Sequence, residues 1–119
     1  MIKRLKSERR QYPRIATELP VNIAADGYTF STNTQNLSCV GAYCRLTKYI
    51  PPFTKVSVKM VLPIANKNGI ADNNIECKGV IVRTEDDKTE GFNIAIFFNE
   101  IKDNERQKIS KYINQFFPK

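Results

Sequence analysis

The sequence predicts an all-β fold with one C-terminal helix: six short strands forming an antiparallel barrel, preceded by a flexible basic N-terminal arm. Three observations carry that expectation. Apolar and polar residues alternate in short runs bounded by turn-forming residues, which is the two-residue period of half-buried strands. These runs follow one another with no helical stretch between them, favouring hairpins that close into a barrel over a βαβ sheet. Only at the end does the period change, where Ile109, Tyr112, Ile113 and Phe116 fall at helical spacing.

A chain of 119 residues suits one domain with one core. Residues 1–17 are polar and basic without a sustained period, and Pro13 lacks a backbone donor and pushes Tyr12 toward an extended conformation, so they read as an arm. Residues 18–119 hold the barrel and its helix. Leu19, Val21 and Ile23 alternate with polar or small neighbours up to the turn dipeptide Asp26-Gly27, and Pro20 marks an edge or an early strand position. The second strand, 28–35, is rich in Thr and aromatics and ends at a turn beginning with Asn36. The third covers 42–46 and is closed by Pro51-Pro52. A fourth, 55–62, stops at Pro63, and residues 65–74 read as a loop. Strands over 75–83 and 92–98 flank a charged turn at 85–91. The terminal helix is expected over 103–117, with Asp103 as N-cap, Pro118 as stop, and Phe116 and Phe117 as core or docking residues.

The net charge of +7 is concentrated at the start, where Lys3, Arg4, Lys6, Arg9, Arg10 and Arg14 face only Glu8. Such an arm favours an anionic partner without naming it: nucleic acid, nucleotide, acidic protein and anionic lipid stay open on charge alone. No run approaches the roughly eighteen apolar residues of a membrane span, and the opening Met1-Ile2-Lys3-Arg4-Leu5-Lys6 leads into no signal-peptide core, so a cytoplasmic protein is expected. Cys39, Cys44 and Cys77 form no C-x-x-C pair and have no histidine beside them, which points to reduced packing residues rather than a metal site. With no histidine, no nucleophile elbow and no phosphate loop, and with Glu85, Asp86, Asp87 and Glu90 grouped on a turn, an enzyme is not expected.

Two stretches stand apart. Arg9-Arg10-Gln11-Tyr12-Pro13-Arg14 puts guanidinium groups on a segment that cannot be regular helix. Asn36-Leu37-Ser38-Cys39-Val40-Gly41 sets an amide, a hydroxyl and a glycine between two apolar runs, where Asn and Ser can bond neighbouring backbone and Gly allows a positive φ. Taken alone, the second stretch is more readily a plain Asx or Ser turn with a bulge at Gly41 than a ligand site.

Together, Arg10-Gln11-Tyr12-Pro13-Arg14 and Asn36-Leu37-Ser38-Cys39-Val40-Gly41 resemble the RxxxR arm and [DN]xSxxG turn of the PilZ domain family. The layout is similar over essentially the whole chain. Gly79-Val80-Ile81-Val82-Arg83, then Gly91 and a strand ending in Phe97-Phe98, looks like that family's last hairpin. The resemblance implies a PilZ-like six-stranded barrel and a stand-alone receptor for cyclic di-GMP, with Arg9, Arg10, Arg14, Asn36, Ser38 and Gly41 at the ligand. Arginine suits the task because its planar fork pairs bidentately with phosphate or with the Hoogsteen edge of guanine and stacks on purines. By resemblance, Arg10 and Arg14 clamp guanine and phosphate, and Arg9 holds a position associated with an intercalated ligand dimer. Asn36 stands where many members have aspartate and brings no charge, and Gly41 keeps the backbone clear for the ligand. No cofactor or metal is implied beyond cyclic di-GMP itself. The expected consequence is an arm ordered on binding, which switches contact with an unidentified downstream protein.

Two alternatives remain at this point. A basic barrel with Tyr12, Tyr28, Phe30 and Tyr43 as a stacking face would bind single-stranded nucleic acid, although strand propensity and core explain those aromatics as readily. A protein-interaction barrel that has lost its ligand would typically lack the arginine arm, which is intact here.

Overall fold

Alternation in the sequence becomes alternation in burial. The computed structural model describes residues 13–117. Strand β1 (Ile15–Ala16) is followed by β2 (Pro20–Ala25), which buries Val21, Ile23 and Ala25 and exposes the residues between them. Strands β3 (Tyr28–Leu37) and β4 (Gly41–Leu46) come next. Then β5 (Lys55–Asn66) turns Val56, Val58, Met60, Leu62 and Ile64 inward, and β6 (Gly69–Asp86) and β7 (Phe92–Glu100) complete the sheet. Every pairing is antiparallel, in the order β3-β2-β5-β6-β7-β4, and β4 pairs back onto β3. Six strands therefore form a ring, and one core fills it. The expected all-β barrel with a C-terminal helix is the observed architecture.

The closing seam is short and irregular. Thr34, Asn36 and Leu37 pair with Cys44, Tyr43 and Ala42, so one residue of β3, Gln35, is bulged out of register. The bulge lets Thr34 and Leu37, three apart, both point into the core. Cys39, Cys44 and Cys77 are buried free thiols.

Four expectations are corrected. The end of the arm is not irregular: Ile15–Ala16 is a seventh strand, paired with β3. The second strand continues past Gln35 to Leu37, so Asn36 lies in strand rather than in the turn. Residues 65–74 are not a loop but a hairpin, Asn66 pairing with Gly69 across Lys67 and Asn68, with the Asn68 N–H donating to Asn66 Oδ1 at 2.7 Å. This hairpin projects beyond the core, so residues 69–72 are all exposed and the chain shows no apolar alternation there. Pro63 is accommodated within it because the β2 ladder ends at Met60, and among the described residues no strand pairs with that side of β5 beyond it.

The helix, α1 (Asp103–Asn114), is shorter than expected and has Lys102, not Asp103, at its N-cap. Ile109, Tyr112 and Ile113 are buried, whereas Phe116 and Phe117 are 54% and 44% exposed. The helix stops where the Gln115 side chain bonds the projecting hairpin, accepting from the Ala65 N–H at 2.6 Å and donating to the Pro63 carbonyl at 3.3 Å. At its other end, Glu105 accepts from the Glu76 N–H at 3.0 Å. These bonds hold α1 across β5 and β6. Among the described residues no helix is long and apolar enough to cross a membrane.

Candidate functional site

The base of the arm is stitched to the barrel by backbone and by one hydroxyl. Ile15 lies opposite Leu37 and Ala16 opposite Asn36. Thr17 then donates its N–H to the Gln35 carbonyl at 3.2 Å, and Thr34 donates its own to the Leu19 carbonyl at 2.9 Å. Thr34, only 1% exposed, accepts the Leu19 N–H through Oγ1 at 3.0 Å and donates to the Thr17 carbonyl. The Thr17 hydroxyl in turn bonds the Tyr112 hydroxyl of α1 at 2.8 Å. The base of the arm, closing seam and helix are thereby one unit. Arg14, exposed, is the residue before β1, which brings its backbone to the 38–41 turn at the end of β3. Arg9 and Arg10 lie outside the described residues.

Within that turn the side chains serve the backbone. Ser38 donates its N–H to the Gly41 carbonyl at 2.9 Å. Its hydroxyl accepts from the Val40 N–H at 3.2 Å and donates to the Gly41 carbonyl at 3.4 Å. At 4% exposure, Ser38 first of all shapes the turn. Gly41 is required by packing: a Cβ there would collide with the Ile96 carbonyl of β7, against which β4 lies. Its demand for glycine thus comes from the neighbouring strand, whereas clearance for a ligand was the sequence-based expectation. Asn36 is half-buried, between Ala16 on one side and Tyr43 on the other.

Beside these segments opens a cleft of about 480 Å³. Pro13 and Cys39 line it from the arm and the turn, and Arg106, Ser110 and Asn114 line it from α1. Burial pushes the Cys39 thiol pKa up, opposed by a Ser110 hydrogen bond and the Arg106 charge, so the sulfur is a neutral wall. Sequence reasoning missed the helical contribution. Its signal was a polar row at four-residue intervals, 106, 110 and 114, next to the apolar stripe. Among the described residues no cluster of His, Cys, Asp or Glu could hold a metal ion.

A six-stranded antiparallel ring, covered by one terminal helix and with the short strand that follows Arg14 paired to β3 beside its closing seam, defines a small β-barrel domain. The chain belongs to the PilZ domain family, which it matches over residues 8–115, a family of cyclic di-GMP receptors. Among solved structures it is similar to the Bacillus subtilis inhibitor of motility MotI/DgrA, at 23% identity and TM-score 0.78, over 90% of this chain and 50% of that one. This chain spans half the length of that protein. It is also similar to the PilZ domain of Escherichia coli YcgR, solved with c-di-GMP, at 14% identity and TM-score 0.59, over 90% of each chain. No curated protein matches the chain significantly.

Proposed function

We propose that this chain is a receptor for cyclic di-GMP that acts by binding rather than by chemical turnover, and that its arm settles on the ligand to change the surface offered to a partner protein. One observation carries this reading. The register of β1 on β3 brings the backbone at Arg14, the last residue of the first motif stretch, toward the turn that contains Ser38, which supports a site shared by the two stretches.

In this reading Arg10 and Arg14 supply guanidinium forks to phosphate and guanine, and Asn36 offers an uncharged amide to a guanine edge. Ser38 and Gly41 contribute mainly by shaping the turn whose backbone approaches the ligand. Arg9 adds a third cation, which suits an intercalated pair of ligands with twice the phosphates. The coupling to a partner runs through the arm base, because Thr17 bonds Tyr112 of α1.

Isothermal titration of the folded chain with cyclic di-GMP tests this. Micromolar or tighter binding is expected, with a ligand-to-protein ratio of two if the intercalated pair is the bound species. Absence of heat at micromolar ligand, with the barrel folded by circular dichroism, would falsify the proposal.

A further inference from the structure

Helix α1 turns two differently composed faces to its surroundings. Ile109, Tyr112 and Ile113 are buried in the core. Arg106, Ser110 and Asn114, four apart, share a face that lines the 480 Å³ cleft. The opposite wall is Pro13, which directly precedes Arg14, and Cys39, which directly follows Ser38. The cleft therefore touches both stretches of the proposed site and adds a third wall, from the helix.

Arg106 is the distinctive group on that wall. Its Nε is enclosed, and among the described residues it has no hydrogen-bond partner. An enclosed guanidinium N–H is an expensive donor to leave unmatched, and the planar guanidinium that carries it, on the cleft wall, is complementary to a phosphodiester. Asp103 shares the cleft rim and supplies an opposing carboxylate. It stands three residues earlier, in the first turn of α1.

We propose that Arg106 is a further ligand-binding residue, donating through its guanidinium to a phosphodiester oxygen of the bound cyclic dinucleotide, with the Ser110 hydroxyl beside it. This rests on the reading of the site as a cyclic di-GMP site. The helix then meets the ligand directly as well as through the Thr17–Tyr112 bond.

The test is calorimetry with cyclic di-GMP on the full chain as wild type, Arg14→Ala, Arg106→Gln and Arg106→Lys, together with the Arg106 Nε–H resonance in nitrogen-15 spectra of the wild type. Arg106→Gln is expected to bind at least about tenfold more weakly, with a shallower salt dependence. Arg106→Lys, which keeps charge but not the fork, is expected to fall between it and wild type. The Nε–H signal should shift on ligand addition. If wild type binds and Arg14→Ala weakens it, yet Arg106→Gln stays within twofold, the Arg106 assignment is overturned while the receptor reading stands. Wild type that does not bind overturns both. Should Arg106→Gln fail to fold, an Nε–H resonance unmoved at saturating ligand overturns the assignment without any variant.

Discussion

Ala16 lies opposite Asn36 in an antiparallel pair, so the end of the arginine-bearing arm is itself a strand of the barrel wall. That pairing sets where residues 13 and 14 leave the wall, at the rim where β3 turns into β4. A two-residue strand has little stability of its own. It depends on the hydroxyl and backbone bonds that continue it through Thr17 and Leu19.

Thr34→Val tests that anchor. Valine keeps the shape of threonine but removes the acceptor for the Leu19 N–H and the donor to the Thr17 carbonyl, leaving a buried and a partly buried group short of a partner. A loss of about 1–3 kcal/mol is expected in urea unfolding, with weaker cyclic di-GMP binding because the arm base is no longer held. Unchanged stability would mean that water replaces the hydroxyl.

Gly41→Ala is expected to destabilise the barrel by about 1–3 kcal/mol. The added methyl meets the Ile96 carbonyl, and both sides of the collision are backbone, so β4 and β7 must part. Urea midpoints measure it. A change below about 0.5 kcal/mol would show that the strands separate at almost no cost.

Asp87 gives the turn between β6 and β7 a pH dependence. Its carboxylate accepts from the Thr89 hydroxyl, the Asn93 amide at 3.0 Å and the Thr89 N–H at 3.3 Å, and lies 3.1 Å from Arg45. These contacts, Thr89 first, lower its pKa from 3.8 to about 2. A depressed pKa in the fold means that the stabilisation is complete above 3.8 and is lost as pH falls toward 2. Exchange protection of the Thr89 amide should decline across that window in wild type and be low and flat with pH in Asp87→Asn. A wild-type amide indifferent to pH between 4 and 2 would contradict the assignment.

Arg14→Ala and Arg10→Ala are each expected to cost at least about 2 kcal/mol of cyclic di-GMP affinity, since each removes a charge-assisted fork, while the melting temperature stays close to wild type. Calorimetry reads the first and thermal unfolding the second. A loss of only a few tenths of a kcal/mol would put the arm outside the site.

Much of the fold was legible because strands packed on one core leave a period in the chain. Val56, Val58, Met60 and Leu62 announce β5, as Ile109, Tyr112 and Ile113 announce α1. The hairpin over 65–74 was illegible for the converse reason. It stands clear of the core, so its polar residues follow backbone pairing that any side chain permits. The same holds for Ile15–Ala16, too short to show a period. The contribution of Arg106 was hidden for a third reason, since an arginine on a surface helix looks alike whether its guanidinium meets solvent or a cleft.

The sequence by itself determined the class of barrel, its family and the two stretches that carry the family's signature, because periodic burial and fixed motif spacing are properties of the chain read in order. Only the tertiary structure decided that the arm enters the wall as a strand, that Ser38 and Gly41 answer first to their own turn and to β7, and that α1 supplies a third wall to the cleft. Those outcomes rest on hydrogen bonds and steric contacts between segments far apart in sequence, such as Thr17 with Tyr112 and Gly41 with Ile96, which no local pattern encodes.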